Sequence, residues 1–196
     1  GYYAIDYPLY MHSECSDRPS RVDYLGRLDG LFLSWGASHP HRWVITKALR
    51  THPRAEVLVI EENGTPRMLQ STYFNRMVKA RCSASFDGYG TGSFRMTEVL
   101  VRTVLLMGPL STRVPFPLVD GETCVAYDLT VDGELCLGTN ITEKLQWVLD
   151  NPEAAFRVYE AGYDWAVTKL TEKATAQYLI DVIEKHDWSK PTRITL

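Results

Sequence analysis

A chain of 196 residues, 45% of them hydrophobic and 23% charged, carries enough apolar material for one sizeable core, which excludes a disordered or fibrous class. A formal net charge of −3 without any long basic block excludes general nucleic-acid affinity, which depends on clustered Lys and Arg neutralising phosphates. The expected partner is a small molecule.

The segment 1–29 is irregular and rich in Tyr, Pro, Ser and Asp, and is expected to form a connector or an edge of the single domain 30–196. Leu31 to Trp35, ended by Gly36, predicts a buried strand. Pro40 to Arg50 has apolar residues at helical spacing, and Pro40 suits a first helical position because its missing N–H would go unpaired there anyway. The cycle repeats with a strand at Glu56 to Ile60, turn chemistry at Asn63-Gly64-Thr65-Pro66, and a helix over Thr72 to Ala80. Cys82 to Phe86 predicts a third strand, Phe94 to Leu105 a helix, Val104 to Met107 a fourth strand and Thr123 to Tyr127 a fifth. From Ile141 onward the pattern is helical: Thr142 to Leu149, Pro152 to Leu170 and Glu172 to Lys185, with Asn140 or Thr139 as a cap. Strands alternating with helices imply an α/β fold: a doubly wound, mostly parallel sheet with helices on both faces and a helical C-terminus.

The cysteines Cys15, Cys82, Cys124 and Cys136 make no C-x-x-C pair and lack zinc-type histidine spacing, so no metal is expected. Cys82 in an apolar alternation suits a free thiol and a reducing, cytoplasmic setting. No apolar run reaches the roughly eighteen residues of a transmembrane segment, and Gly1-Tyr2-Tyr3 does not open a signal peptide. The chain starts without Met, as a piece of a longer protein would.

Ligands of open α/β sheets gather at the carboxyl ends of strands, where a turn leads into a helix. The turn after the third predicted strand is the most glycine-dense in the chain: Asp87-Gly88-Tyr89-Gly90-Thr91-Gly92-Ser93. Alternate glycines leave backbone N–H groups uncovered, and Ser93 is placed to cap the helix starting at Phe94, an arrangement suited to a pyrophosphate. Arg95 in the first helical turn can grip a phosphate by a forked pair of hydrogen bonds, and Glu98 can accept hydrogen bonds from vicinal sugar hydroxyls. The plain alternative is a tight turn followed by a surface pairing of Glu98 with Arg95 or Arg102. Neither the dinucleotide fingerprint G-x-G-x-x-G nor a Walker-type loop is present.

Gly92-Ser93-Phe94-Arg95-Met96-Thr97-Glu98-Val99-Leu100 resembles the G-S-F-R-x-x-E-A-L segment of exostosin-like glycosyltransferases, and Asp87-Gly88-Tyr89-Gly90 resembles the D-G-Y-G turn of spore-maturation-type glycosyltransferases. The likeness continues through Phe116 to Tyr127, through Ile141 to Glu153 with its D-N-P-E boundary, and upstream through Phe32 to Gly36 with His39 to Arg42, spanning residues 30–186. It implies the C-terminal, nucleotide-sugar-binding half of an enzyme built from two Rossmann-like domains (the GT-B type). Such a half takes a nucleotide-diphosphate sugar as donor substrate and uses no separate cofactor. The glycine turn Gly88, Tyr89, Gly90, Thr91, Gly92 and Ser93, with Phe94 and Arg95, would then hold the diphosphate, and Glu98 the ribose. Val99 stands where the family usually has Ala.

His39 and Arg42 lie at the first strand-to-helix turn, where they either touch ligand or serve as caps and solvent-exposed polar groups, and Glu122, at the family's donor-loop position, either approaches the sugar or is a loop charge. The catalytic residue is not assigned. The implied partners are a glycan or other acceptor and a second Rossmann-like domain or subunit. The alternative is a non-catalytic nucleotide-sugar-binding or partner domain that docks onto another subunit.

Overall fold

The computed structural model describes residues 18–36, 40–60, 68–86, 94–108, 110, 116–132 and 135–185. A short helix α1 (Arg21–Leu25) precedes strand β1 (Leu28–Gly36), helix α2 (Pro40–Arg50), strand β2 (Ala55–Ile60), helix α3 (Gln70–Lys79) and strand β3 (Ala80–Phe86). Helix α4 (Phe94–Leu100), strand β4 (Val104–Gly108) and the two-residue β5 (Val125–Ala126) complete the sheet. A hairpin of β6 (Leu129–Asp132) and β7 (Leu135–Thr139) follows, then α5 (Ile141–Asp150), α6 (Pro152–Lys169) and α7 (Glu172–Lys185).

The five-stranded sheet has the order β2-β1-β3-β4-β5, and each neighbouring pair is parallel. Strands buried on both faces need no polar alternation, which is why Leu31 to Trp35 and Val104 to Met107 read as continuous apolar runs. Alternate residues nonetheless divide between two cores. Leu31, Leu33, Trp35, Val104 and Leu106 face Ile45 and Leu49 of α2 and Ile141, Leu145 and Val148 of α5. Phe32, Leu105 and Met107 face Met77 of α3 and Met96, Val99 and Leu100 of α4. Helices therefore cover both faces, and the doubly wound sheet is what the strand–helix alternation implies. Each fully buried Leu, Ile or Val in these layers stabilises the fold by about 1.5–3 kcal/mol.

Three local features differ from the sequence expectation. The helix expected over Phe94 to Leu105 stops at Leu100, where Arg102 N donates to Val99 O at 2.9 Å and Thr103 N to the same oxygen at 2.8 Å. Thr103 then anchors β4 by donating its hydroxyl to Ala80 O at 2.9 Å. Within the supposedly irregular segment before residue 30, α1 forms on a reciprocal cap: Asp23 N donates to Ser20 Oγ at 3.2 Å and Ser20 N to Asp23 Oδ2 at 3.2 Å. Tyr24 of this helix is fully buried and stacks on Tyr159 with ring centroids 5.7 Å apart. The β6–β7 hairpin was not expected, and it packs against α2. Of the two expected caps of α5, Asn140 turns its side chain to Asp128, accepting from Asp128 N at 2.7 Å, whereas Thr139 Oγ1 accepts from Ile141 N at 3.2 Å.

Cys82 and Cys124 are fully buried free thiols. Burial pushes the Cys124 thiol up to about 12, with the Asp120 carboxylate adding to the rise, and burial likewise raises Cys82 and the phenols of Tyr24, Tyr73 and Tyr159. A raised folded-state value means that the stability from these neutral groups is complete below the unfolded value, 9.0 for a thiol, and is lost as pH rises through the folded one. The urea midpoint followed by circular dichroism is therefore expected to hold level from about pH 7 to 8.5 and to fall steadily from about pH 9.5 to 11.5. A level midpoint to pH 11.5 would contradict this burial.

Candidate functional site

The strand order reverses direction between β1 and β3: the chain passes from β1 to β2 on one side, then crosses back to β3 and proceeds to β4. Such a reversal opens a crevice at the carboxyl ends of the two strands, because their following helices leave to opposite faces. Two of the expected site residues, Arg42 and Arg95, meet there.

Arg42, on the first turn of α2, donates from Nη1 to Gly36 O, the last carbonyl of β1, at 3.1 Å. Its guanidinium lies 5.5 Å from the centroid of the Trp35 ring, and Trp35 is in turn fixed by donating Nε1–H to Thr46 Oγ1 at 3.0 Å. Arg95, on the first turn of α4, donates from Nη2 to Ser34 O of β1, so a helix that follows β3 is pinned to the neighbouring strand. The two cations feel one another: burial depresses the Arg42 guanidinium most, and the charge of Arg95 depresses it further. Arg42 nonetheless stays protonated at neutral pH, as guanidinium groups do. Two half-buried cations at a sheet edge form a region of positive potential that favours an anion.

Glu98 completes the group. It stands one turn beyond Arg95, and the two are joined through Tyr73 of α3: Arg95 Nη1 donates to Tyr73 Oη at 2.7 Å, and Tyr73 Oη donates to Glu98 Oε2 at 3.1 Å. Arg102 reaches Glu98 at its main-chain carbonyl, donating from Nη1 at 3.0 Å, while its guanidinium stacks 3.7 Å from the Phe74 ring centroid. Tyr73 was missed in the sequence, where it is one aromatic among several in an amphipathic helix. Only the packing of α3 beside α4 shows what its hydroxyl does.

The floor of the same edge is formed by Tyr127, which donates its hydroxyl to Ser85 O at 2.8 Å and its backbone N–H to Met107 O at 3.0 Å. His41, next to Arg42, meets the edge of the Phe86 ring with centroids 5.4 Å apart.

Glu122 stands apart from this group. It precedes β5, and in a parallel sheet the residues before a strand lie at its amino end, opposite the carboxyl end where Arg42 and Arg95 sit. Its loop is tied there by backbone bonds to Val119 O, and Glu122 itself is exposed. The turn Gly88, Tyr89, Gly90, Thr91, Gly92 and Ser93, together with His39, lies outside the described residues, as does the side chain of Phe94.

Two open clefts lined by described residues are at the amino end of the sheet. One, of about 770 Å³, is bounded by Arg18, Asp23, Arg27, Leu28, Val78 and Lys79; the other, of about 510 Å³, by Asp29, Arg54, Glu56, Arg76 and Lys79 among others. Their charges are largely engaged in structural pairs, Arg18 with Asp164, Arg54 with Asp29 and Arg76 with Glu56. The chemistry of the carboxyl end makes it the stronger candidate site. Among the described residues no group of three or more His, Cys, Asp or Glu could hold a metal ion, and no helix is long and apolar enough to cross a membrane.

Neither a protein-family model nor a curated protein matches the chain. Among solved structures, Anabaena HepE in complex with UDP-glucose superposes with a TM-score of 0.55 at 8% sequence identity, over 92% of this chain and 56% of that one. An aminotransferase from Mycobacterium tuberculosis aligns over 83% of this chain and 49% of its own at 14% identity, but its TM-score of 0.23 carries no weight. This chain thus spans little more than half the length of HepE. At such low identity the likeness speaks to architecture, and it agrees with the strand order and helix placement: the chain has a Rossmann-like α/β fold, shared with HepE.

Proposed function

We propose that this chain binds a nucleotide-diphosphate sugar at the carboxyl ends of β1 and β3 and forms the donor half of a glycosyltransferase that passes the sugar to a glycan or other acceptor. The observation that carries the reading is the meeting of Arg42, Arg95 and Glu98 at the point where the strand order reverses. The cations would face the diphosphate, with the glycine turn Gly88 to Ser93 supplying backbone N–H groups, and the Glu98 carboxylate would accept from the ribose hydroxyls. As the sugar leaves, negative charge grows on the diphosphate, and cations already held in place stabilise it without reorganising. On this reading their charge suffices without a metal.

The fold shared with HepE, whose crystal structure holds UDP-glucose, supports the same reading, as does the exostosin-like run Gly92 to Leu100. Because the chain spans 56% of HepE, the GT-B arrangement with a second Rossmann-like domain belongs to the proposal, and so does the acceptor site such a domain would add. The second reading is a non-catalytic nucleotide-sugar-binding domain that docks onto another subunit. Two free, buried thiols suit a cytoplasmic setting.

Calorimetry with uridine, guanosine and thymidine diphosphates and their sugars tests the reading. At least one is expected to bind, and Glu98→Gln is expected to weaken it about tenfold by removing a charge-assisted hydrogen bond. Heat signals at the level of buffer for all of them would remove the donor site. Sugar transfer to, or donor hydrolysis with, added glycans then separates a transferase from the binding-only alternative.

A further inference from the structure

Tyr73 occupies a position between the two chemical ends of the candidate site that neither Arg95 nor Glu98 could bridge alone. It lies in the first turn of α3, with its ring 6.0 Å from that of Phe32 and 5.4 Å from the Arg95 guanidinium carbon. A guanidinium only donates hydrogen bonds and a carboxylate only accepts them, so the direction of both bonds is fixed: the Tyr73 hydroxyl accepts from Arg95 and gives its single proton to Glu98. Burial raises the phenol's pKa, which keeps that proton in place through the neutral range.

Arg95 has five N–H donors on a long side chain, and without a partner at Nη1 its head could swing about the bond it makes to Ser34 O. With the Tyr73 hydroxyl in place, the guanidinium is held at two points, on α3 and on β1, and its plane is set. The same hydroxyl draws Oε2 of Glu98 toward α3, which sets the direction of the carboxylate.

We propose that Tyr73 is a positioning residue that holds the Arg95 guanidinium and the Glu98 carboxylate in one fixed arrangement, so that the diphosphate and ribose ends of a nucleotide are recognised together. This rests on the nucleotide reading of the site given above. Tyr73 touches no ligand in this scheme; it acts through the two groups that do.

Tyr73→Phe keeps the ring, with its packing on Phe32 and its face toward Arg95, and removes only the hydroxyl. The full chain labelled with 15N-arginine reports the Arg95 side chain directly, its signal identified by its loss in Arg95→Lys. In the parent, rotation about the guanidinium C–N bonds is expected to be slow, and in Tyr73→Phe fast. In calorimetry the variant is expected to bind nucleoside diphosphate about five- to tenfold more weakly. A double-mutant cycle of Arg95→Ala and Glu98→Gln is expected to show coupling in the parent and to lose it in Tyr73→Phe. The thermal midpoint separates loss of fold from loss of position. A folded Tyr73→Phe chain with Arg95 still slow and nucleotide affinity within twofold of the parent overturns the proposal. If the parent binds no nucleotide, the functional reading fails. The arginine signal then decides by itself whether Tyr73 fixes Arg95, and an unchanged signal overturns the positioning role as well.

Discussion

Arg95→Ala is expected to weaken binding of a nucleoside diphosphate about a hundredfold while changing the affinity for the bare nucleoside by no more than about threefold. The difference follows from where the side chain ends. Its guanidinium stands beside Arg42 at the carboxyl end of β1, donating to Ser34 O and to Tyr73 Oη, and these bonds set its plane for an incoming anion. A forked contact of this kind to phosphate is worth about 2–3 kcal/mol, which is the hundredfold. Arg95→Lys retains the charge but cannot span Tyr73 and Ser34 and still present a fork, so it is expected to recover only a minor part of the loss. Calorimetry with the diphosphate, the monophosphate and the nucleoside checks the pattern. An equal loss for all three ligands would mean that Arg95 shapes the pocket and does not read the phosphates. The variant also leaves the Ser34 carbonyl without this donor, so a modest fall in stability, about 1–2 kcal/mol, should accompany the change in binding.

Much of this arrangement is legible in the sequence, and the rest is hidden for identifiable reasons. Helix α2 runs over Pro40 to Arg50 as its periodicity and opening proline predict, and β3 and β4 follow from apolar runs. The doubly wound class came from alternation alone. The sheet order did not, because which strand lies beside which is decided by long-range packing that no local pattern encodes. That order matters most here, since it places Arg42 and Arg95 together from opposite sides of the reversal point. It also parts Glu122 from them: the family's donor-loop position suggests a ligand contact, whereas the start of a parallel strand lies at the opposite end of the sheet from Arg42 and Arg95.

Two elements carry local signals of their own. Asp132-Gly133 between short alternating segments is a strong hairpin signal and marks β6–β7, and Ser20 followed three residues later by Asp23 is a capping box that marks α1. Tyr73 carries no such local signal. Its role depends on the distance between two helices, and the amphipathic pattern of α3 makes it only one of several half-buried aromatics. Nothing local marks the end of α4 short of Leu105, because Val101-Arg102-Thr103 contains neither Gly nor Pro. The chain turns there by tightening its last hydrogen bonds, a stop without a breaker residue.

Gly108→Ala is expected to cost about 3 kcal/mol of stability and to lower the thermal midpoint by about 6–12 °C. A β-carbon at this position, the last of β4, would lie 2.2 Å from Tyr127 O and 2.7 and 2.8 Å from two carbons of the Tyr127 ring. Contacts that short require movement, and Tyr127 is poorly able to move. Its N–H is bonded to Met107 O, its hydroxyl to Ser85 O, and the residue is 1% exposed. Displacing it would disturb the carboxyl edge beside Arg42, which is close enough to Tyr127 for the two side chains to interact electrostatically. Nucleotide affinity should therefore fall together with stability in this variant, unlike a core substitution at the amino end of the sheet. Gly138→Ala, in β7, is the matched control: among the described residues nothing lies within 4 Å of the added carbon, and a midpoint within about 2 °C of the parent is expected. Differential scanning calorimetry of the two variants decides the matter. If Gly108→Ala melts alongside Gly138→Ala, then Tyr127 yields at small cost, and the edge that supports Arg42 is softer than its hydrogen bonds imply.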